Sequence, residues 1–371
     1  MIDSVQPLLL KLLGTITAYE DFLDEYHGVS GEDRILEFYF RLYQFMDICE
    51  RLDENYVIYT EQVNAGSFKL KLYCVNPAVN LRKCLEKGRA TIFFSATLLP
   101  VWYYKKLLSD EDDYAIYIPS PFPQEHRKVL IGRDVSTKYS RRSPSEYEKI
   151  YHYIEETVTA RDGNYMVFFP SYKMLEDIYA VAKKHGLTER TQVICQSPNM
   201  KEEQREEFLQ VFDGNQVTAF CIMGGIFSEG IDLTGERLIG SVVVGTGLPM
   251  VCHEREILKA YFDKREGNGF AYAYLYPGMN KVLQAAGRVI RTTEDRGVIL
   301  LLDERFLYSR NQQMFPREWN DYTVVSKDQI RKEVDAFWEE QSSDWADEKQ
   351  LDRLRKYVRC KKRVKGEIVK C

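Results

Sequence analysis

Apolar positions recur along this chain in two rhythms. Early on, Ile35, Phe38, Tyr39, Leu42, Phe45, Met46 and Cys49 fall three and four residues apart, which predicts a helix turning one stripe to a core. "PLLLKLLG" from Pro7 reads as another helix face. From Tyr56 the period shortens to two: Phe68, Leu70 and Leu72 alternate with Lys69 and Lys71, and "NAGS" supplies turn residues between two β-rich runs, so a hairpin is expected. Short β-rich runs then recur as "TIFF" at 91, "MVFF" at 166, "QVIC" at 192, "VTAFCIM" at 217, "SVVVG" at 241, "AYAYLY" at 271 and "VILLLD" at 298. Charged segments with helical spacing separate most of them, for example "SPNMKEEQREEFLQVF" and "HEREILKAYFDKRE". Nearly continuous apolar strands alternating with helices predict an α/β fold, a parallel sheet covered on both faces. "IPSPFPQEHRKV", with Pro119, Pro121 and Pro123, suits neither regular helix nor central strand and reads as a linker or edge crossing.

Composition narrows the class without choosing a function. The 371 residues are 44% hydrophobic and 29% charged, an ordinary globular balance with room for two or three domains. A formal net charge of −5 argues against a wholly basic binder but leaves room for a basic groove on one face. Eight cysteines show no C-x-x-C pair and no grouping with histidine, so no metal site is expected from this chain, and free thiols suit a reducing setting. No stretch has the length to span a bilayer, and "PLLLKLLG" lacks a basic leader, so no membrane partner and a cytoplasmic location are expected.

In a covered parallel sheet, ligands sit beyond the carboxyl ends of the strands. The loop after "AFCIM" is "GGIFSEGIDLTGE" and the loop after "TIFF" is "SATLLP", both rich in small and hydroxyl residues that suit backbone contact with phosphate or ribose. Downstream, "QAAGRVIR" puts Gln284, Gly287, Arg288 and Arg291 on one face if it is helical. Paired guanidinium groups beside a glycine want a multiply charged anion, most simply a polyphosphate.

Singly these motifs are weak; in this order and at strand ends they are specific. "FFSATLLP", "VFFPS", "GGIFSEGIDLTGE" and "QAAGRVIRTTEDRG" resemble the later signature motifs of superfamily 2 helicases, in the DinG/XPD-like branch. "CVNPA" at 74, "SPF" at 120, "FYF" at 38 and, more loosely, "FPREW" extend the resemblance over most of the chain. It implies a RecA-like lobe in which Arg288 and Arg291 reach the γ-phosphate of ATP bound on another lobe and Gln284 orients them. Glu229, Gly230, Asp232 and Gly287 would line the same cleft. Ser95, Ala96 and Thr97 would couple the lobes, while Ser171 and Gln196 would touch the nucleic-acid backbone. For Ser171 a helix N-cap, and for either residue an ordinary turn role, stands as the alternative.

No G-x-x-x-x-G-K-[ST] loop, no D-E-A-H-like tetrad and no iron–sulfur cysteine set occurs in these residues. The resemblance therefore implies the carboxyl-terminal portion of a longer enzyme, with residues 1–75 an arch-domain remnant of helices plus hairpin, 76–125 the end of a first RecA-like lobe and 126–371 the second. The expected function is that of an ATP-dependent DNA helicase acting in DNA repair, 5′ to 3′, on single-stranded and forked or tailed duplex DNA. ATP and Mg²⁺ would be bound mainly by the missing amino-terminal lobe, an iron–sulfur cluster would lie, if anywhere, in that missing part, and this chain alone would hydrolyse nothing. The alternative is a non-catalytic nucleic-acid-binding or regulatory module that completes a nucleotide site on a partner in trans. The tail "RLRKYVRCKKRVKG" reads either as a phosphate contact or as a solvated helix.

Overall fold

A computed structural model describes residues 4–25, 33–64, 66–214 and 216–342; the basic tail lies outside the described residues. Two compact units emerge, one of residues 1–94, 101–114 and 252–269, the other of 95–100, 115–251 and 270–371.

In the first unit, helices Gln6–Glu25 and Asp33–Glu50 precede an antiparallel hairpin of β1 (Tyr56–Asn64) and β2 (Ser67–Cys74), as the alternation predicts. The helix 33–50 forms where expected, yet its apolar stripe is not core: Leu42 is buried, while Ile35 and Phe38 stand 48% and 54% exposed. The segment 252–269, assigned from sequence to the second lobe, makes its contacts here. Its helix His253–Glu266 packs Ile257 against Tyr59 and Val75, and Glu254 accepts a hydrogen bond from the Tyr59 hydroxyl at 2.8 Å and pairs with Lys71.

The second unit is a seven-stranded sheet in the order β5-β6-β4-β7-β8-β3-β9, parallel throughout. Its strands are β3 (Arg127–Gly132), β4 (Tyr165–Phe169), β5 (Gln192–Cys195), β6 (Val217–Ile222), β7 (Gly240–Val244), β8 (Gly297–Leu302) and β9 (Thr323–Val325). Every residue of β4, β7 and β8 is buried, which is why these runs show no polar alternation. Helices Pro144–Val158 and Tyr172–Lys184 send Ile150, Tyr153, Ile154, Leu175 and Ile178 into the core with Val167, Phe169, Phe220, Val242 and Leu300. Each such side chain contributes about 1.5–3 kcal/mol of burial.

Four elements differ from the sequence expectation. "AYAYLY" is helical, a π-turn over Ala271–Leu275 leading into the helix Tyr276–Ala286. Residues Ala271–Tyr276 are all buried, and an apolar run without polar gaps has no readable period. Its rings pair four apart instead, Phe270 on Tyr274 at 5.4 Å and Tyr272 on Tyr276 at 5.6 Å. "TIFF" is no strand: Ile92 and Phe94 are 83% and 89% exposed, and no backbone hydrogen bond joins residues 91–94 to another described residue. A β-run becomes a strand only when a neighbour takes its N–H and C=O groups. Conversely, the end of the expected linker is β3, whose Leu130 lies beside Leu300, and β9 completes that edge.

Candidate functional site

The helix Tyr276–Ala286 ends at Gly287, so only Gln284 sits on helical backbone. The two arginines meet through a turn rather than by helical spacing. Buried Val289 anchors that turn against Gly297, where any added Cβ would lie 2.2 Å from the valine Cγ1. Arg288 donates from Nε to the Ser228 carbonyl at 3.0 Å and from Nη1 to the Ile231 carbonyl at 2.8 Å. Arg291 donates from Nη2 to the same Ile231 carbonyl at 3.3 Å, and its Nε lies 3.6 Å from the Asp232 carboxylate.

The segment they grip is shaped by two features. Gly230 takes φ +67°, a left-handed conformation that favours glycine. Buried Ser228 closes the preceding turn, its hydroxyl accepting from the Gly224 N–H at 2.9 Å and donating to the Ile222 carbonyl at 3.2 Å. Gly230, Ile231, Asp232, Thr234, Arg291 and Thr292 line a crevice of about 450 Å³, with Glu229 and Asp232 exposed beside it. Burial pulls the Arg288 pKa below its ordinary value, and the Arg291 charge adds to that, against the opposing Glu229 and Asp232. A guanidinium stays protonated regardless, so Arg288 is a partly desolvated cation whose charge a bound anion would favour.

Asp295, which sequence reasoning passed over inside "TTEDRG", locks this geometry. It is 2% exposed and accepts three backbone hydrogen bonds at 2.7 Å, from Gly235, Arg291 and Thr292. One carboxylate thus staples the turn that carries Arg291 to the end of the Glu229–Gly235 segment.

The other expected residues fall elsewhere. Gln284 is half-buried and makes no hydrogen bond to either guanidinium among the described residues, so it does not orient them here. Gly287 is the exposed helix C-cap. Ser95, Ala96 and Thr97 form a self-contained turn, with the Ser95 hydroxyl 3.2 Å from the Thr97 hydroxyl and accepting from its N–H. Ser171 is the N-cap of the helix Tyr172–Lys184, accepting from the Met174 N–H at 3.3 Å. Ser171→Ala is expected to cost about 1 kcal/mol in denaturant melts, as loss of a cap. Gln196 is buried: its Oε1 accepts from Ile222 N–H at 2.9 Å and its Nε2 reaches the Tyr172 hydroxyl at 3.3 Å. Its amide therefore ties strand ends together instead of facing a nucleic acid.

A second polar knot lies past the carboxyl ends of β3 and β8. Fully buried Asp303 accepts from the Thr137 N–H at 2.9 Å, from its hydroxyl at 2.7 Å and from Arg305 at 2.8 Å. Burial pushes the Asp303 carboxyl up, but the hydrogen bonds and charge of Arg305, with Thr137, push it down further, to below its ordinary value. A depressed folded pKa gives stability that is complete above the unfolded value, about 3.9, and is lost as pH falls through the folded one. Asp303→Asn is expected to remove that part of the acid limb in melts followed from about pH 5 to about pH 2.

Among the described residues, one group of side chains brings metal-ligand types together, and its members are engaged with neighbouring residues. His152, Glu155 and Glu156 bring ligand-type atoms within 4.8 Å, but Glu155 already pairs with Arg190, Glu156 with Arg331 at 3.7 Å, and His152 with the Lys327 carbonyl at 3.2 Å. Burial pushes the Cys195 thiol to about 11 and Cys221 well up, so both stay protonated. No described helix is long and apolar enough to cross a membrane.

The family described as "Helicase C-terminal domain" matches residues 154–322, a range holding β4 to β8, the Glu229 segment and both arginines. Residues 154–322 are thus similar to a helicase C-terminal domain, and the relatives that match the chain are helicases, XPD among them. The chain is 28% identical over 311 residues to a probable ATP-dependent helicase of Methanocaldococcus jannaschii, covering 77% of this chain and 44% of that one. It is 23% identical over 290 residues to the XPD helicase subunit of the general transcription and DNA repair factor IIH of Schizosaccharomyces pombe, covering 71% and 36%. The ATP-dependent DNA helicase YoaA of Escherichia coli is 24% identical over 257 residues, covering 67% and 38%. The chain thus spans less than half the length of these relatives. Its fold is that of solved XPD structures, with TM-scores of 0.55 and 0.56 at 19% and 18% identity, covering 77% and 85% of this chain and 50% and 62% of theirs. The parallel sheet expected from the strand pattern, and the RecA-like fold that the resemblance implied, are the ones found.

Proposed function

We propose that the chain supplies the second RecA-like lobe of an ATP-dependent DNA helicase, with Arg288 and Arg291 directed at the γ-phosphate of ATP held, with Mg²⁺, by another lobe. The observation that carries this reading is the meeting of both guanidinium groups at the Ile231 carbonyl, beside an open crevice. In hydrolysis a water oxygen bonds to the γ-phosphorus while the bond to the β,γ-bridging oxygen breaks, releasing ADP and phosphate. Charge spreads over the equatorial oxygens, where planar, fixed donors stabilise it. Arg291, the more exposed, is the group free to reach across; Arg288, half-buried and doubly bonded, holds the Ser228–Ile231 segment as it does so.

The orphan "TIFF" run supports a first lobe whose sheet lies outside the described residues. The substrates on this reading are single-stranded and forked or tailed duplex DNA, and the three-part division into arch remnant, first-lobe end and second lobe belongs to the same proposal. The test is a DNA-stimulated ATPase assay on this chain alone and together with a P-loop-bearing lobe. Turnover is expected only in the combination, and robust turnover by the chain alone overturns the reading.

A further inference from the structure

The turn that carries Arg291 is held from two sides. Asp295 takes the Arg291 and Thr292 backbone N–H groups. On the other side stands half-buried His126, the last residue of the short 3₁₀ turn Gln124–His126 ahead of β3. Its Nδ1 lies 2.9 Å from the Thr293 carbonyl and its Nε2 lies 3.3 Å from Nη2 of Arg296. We propose that His126 is a positioning residue for the arginine turn, and that it holds the turn only as the neutral imidazole with its proton on Nδ1. This inference rests on the nucleotide reading above and adds to it a group outside the motifs on which that reading stands.

The two elements meet because β3 and β8 are parallel neighbours with Arg127 opposite Gly297, so the residues just before them, His126 and Arg296, arrive side by side. The backbone on the histidine side is fixed independently. Gln341 donates to the Glu125 carbonyl at 2.9 Å, and the Arg127 guanidinium donates to the Glu318 carbonyl. Thr293 is less secured: it is exposed, and its hydroxyl bonds only the carboxylate of Glu294 beside it, at 2.7 Å. Among the described residues the imidazole is the one hydrogen-bond partner of the Thr293 backbone.

Both contacts demand the same protonation state. A carbonyl can only accept and a guanidinium can only donate, so Nδ1 carries the proton and Nε2 offers its lone pair. Protonation would put an N–H and a positive charge on Nε2 against the Arg296 guanidinium, and the ring could no longer satisfy both partners. The charged groups on the elements packed here are Glu125 and Arg127 on the histidine side, Glu318 and Glu340 on the segments that bond these two residues, and Glu294, Asp295 and Arg296 on the turn. Asp295 is committed to three backbone N–H groups, and among the described residues the histidine with a carboxylate partner is His185, not His126. No negative charge therefore compensates an imidazolium at this point, and acid loosens the turn that presents Arg291 in the range where imidazoles titrate, about pH 6.5.

The test has two readouts. In the full chain alone, long-range nitrogen–proton spectra of the imidazoles at about pH 8 are expected to show His126 protonated on Nδ1, and the Arg291 and Thr292 amides are expected to exchange faster in His126→Ala. In the enzyme reunited with a P-loop-bearing lobe, His126→Ala is expected to lower kcat about tenfold at about pH 8 with little change in KM for ATP, as misplacement of a group that acts in the transition state does. At about pH 5.5 the unaltered enzyme has lost the same contact, so its advantage over His126→Ala is expected to shrink to about threefold or less. His126→Asn, whose amide N–H stands near the place of Nδ1 and does not titrate, should recover most of the lost turnover at both pH values. A proton on Nε2 instead, an advantage equal at both pH values, or unchanged exchange and turnover in His126→Ala each overturns the proposal. An inactive Arg291→Ala beside a fully active His126→Ala discards His126 and keeps the arginine reading. Full turnover in Arg291→Ala with faster exchange in His126→Ala discards the arginine reading and keeps His126 as the holder of the turn.

Discussion

Replacing Arg291 with alanine, in the enzyme reunited with a P-loop-bearing lobe, is expected to lower ATP turnover by about 10³ or more, the scale of losing a finger arginine. The guanidinium is partly exposed, held only by a 3.3 Å bond to the Ile231 carbonyl and a 3.6 Å approach to Asp232, so it can leave both for a phosphate. Lysine should rescue little, because one ammonium lacks the planar fork that grips two phosphate oxygens at once. Arg288→Ala is expected to match that loss by another route, since it also frees the Ser228 and Ile231 carbonyls. Because the two share one acceptor, the double variant should cost much less than the sum of the two singles in free energy. Single-turnover hydrolysis at saturating ATP is the measurement. Turnover within a few fold of normal in both single variants would remove the pair from catalysis.

Asp295→Ala is expected to be the most damaging single change to folding near the site, about 3–4 kcal/mol in urea melts, because three backbone N–H groups lose their acceptor at once. The carboxylate is 2% exposed, so water cannot simply replace it. For a unit of this size that corresponds to a fall of about 6–16 °C in Tm. Neighbouring Glu294, an exposed residue, serves as the control, and Glu294→Gln should leave the melt unchanged. Amide exchange gives a local reading: Gly235, Arg291 and Thr292 should all lose protection in Asp295→Asn, where the amide nitrogen turns one acceptor into a donor. If those three amides exchange as before, the staple is not what holds the turn.

Local pattern carried far in this chain. "MVFF", "QVIC", "VTAFCIM", "SVVVG" and "VILLLD" are strands, "HEREILKAYFDKRE" is a helix end to end, and the Lys69/Lys71 alternation is one arm of a hairpin. These signals are local because a pleat or a helical turn repeats within a few residues. Where an apolar run had no polar gaps, as in "AYAYLY", the period was unreadable and the helix won.

The chain's own order of residues determined which side chains are candidates for the chemistry: an arginine pair after a small-residue loop, in a parallel α/β fold, is written in the sequence. Tertiary structure alone decided how they meet. Arg288 and Ser228 are 60 positions apart, and they touch because β6 and β8 belong to one sheet, with β4 and β7 between them, and the helix before β8 ends at Gly287. It also decided that Asp295 is a buried staple, that Ser171 and Gln196 serve the scaffold, and that "TIFF" finds no neighbour among the described residues. Each of those outcomes depends on partners far away along the chain, and no local period records which distant backbone group will arrive.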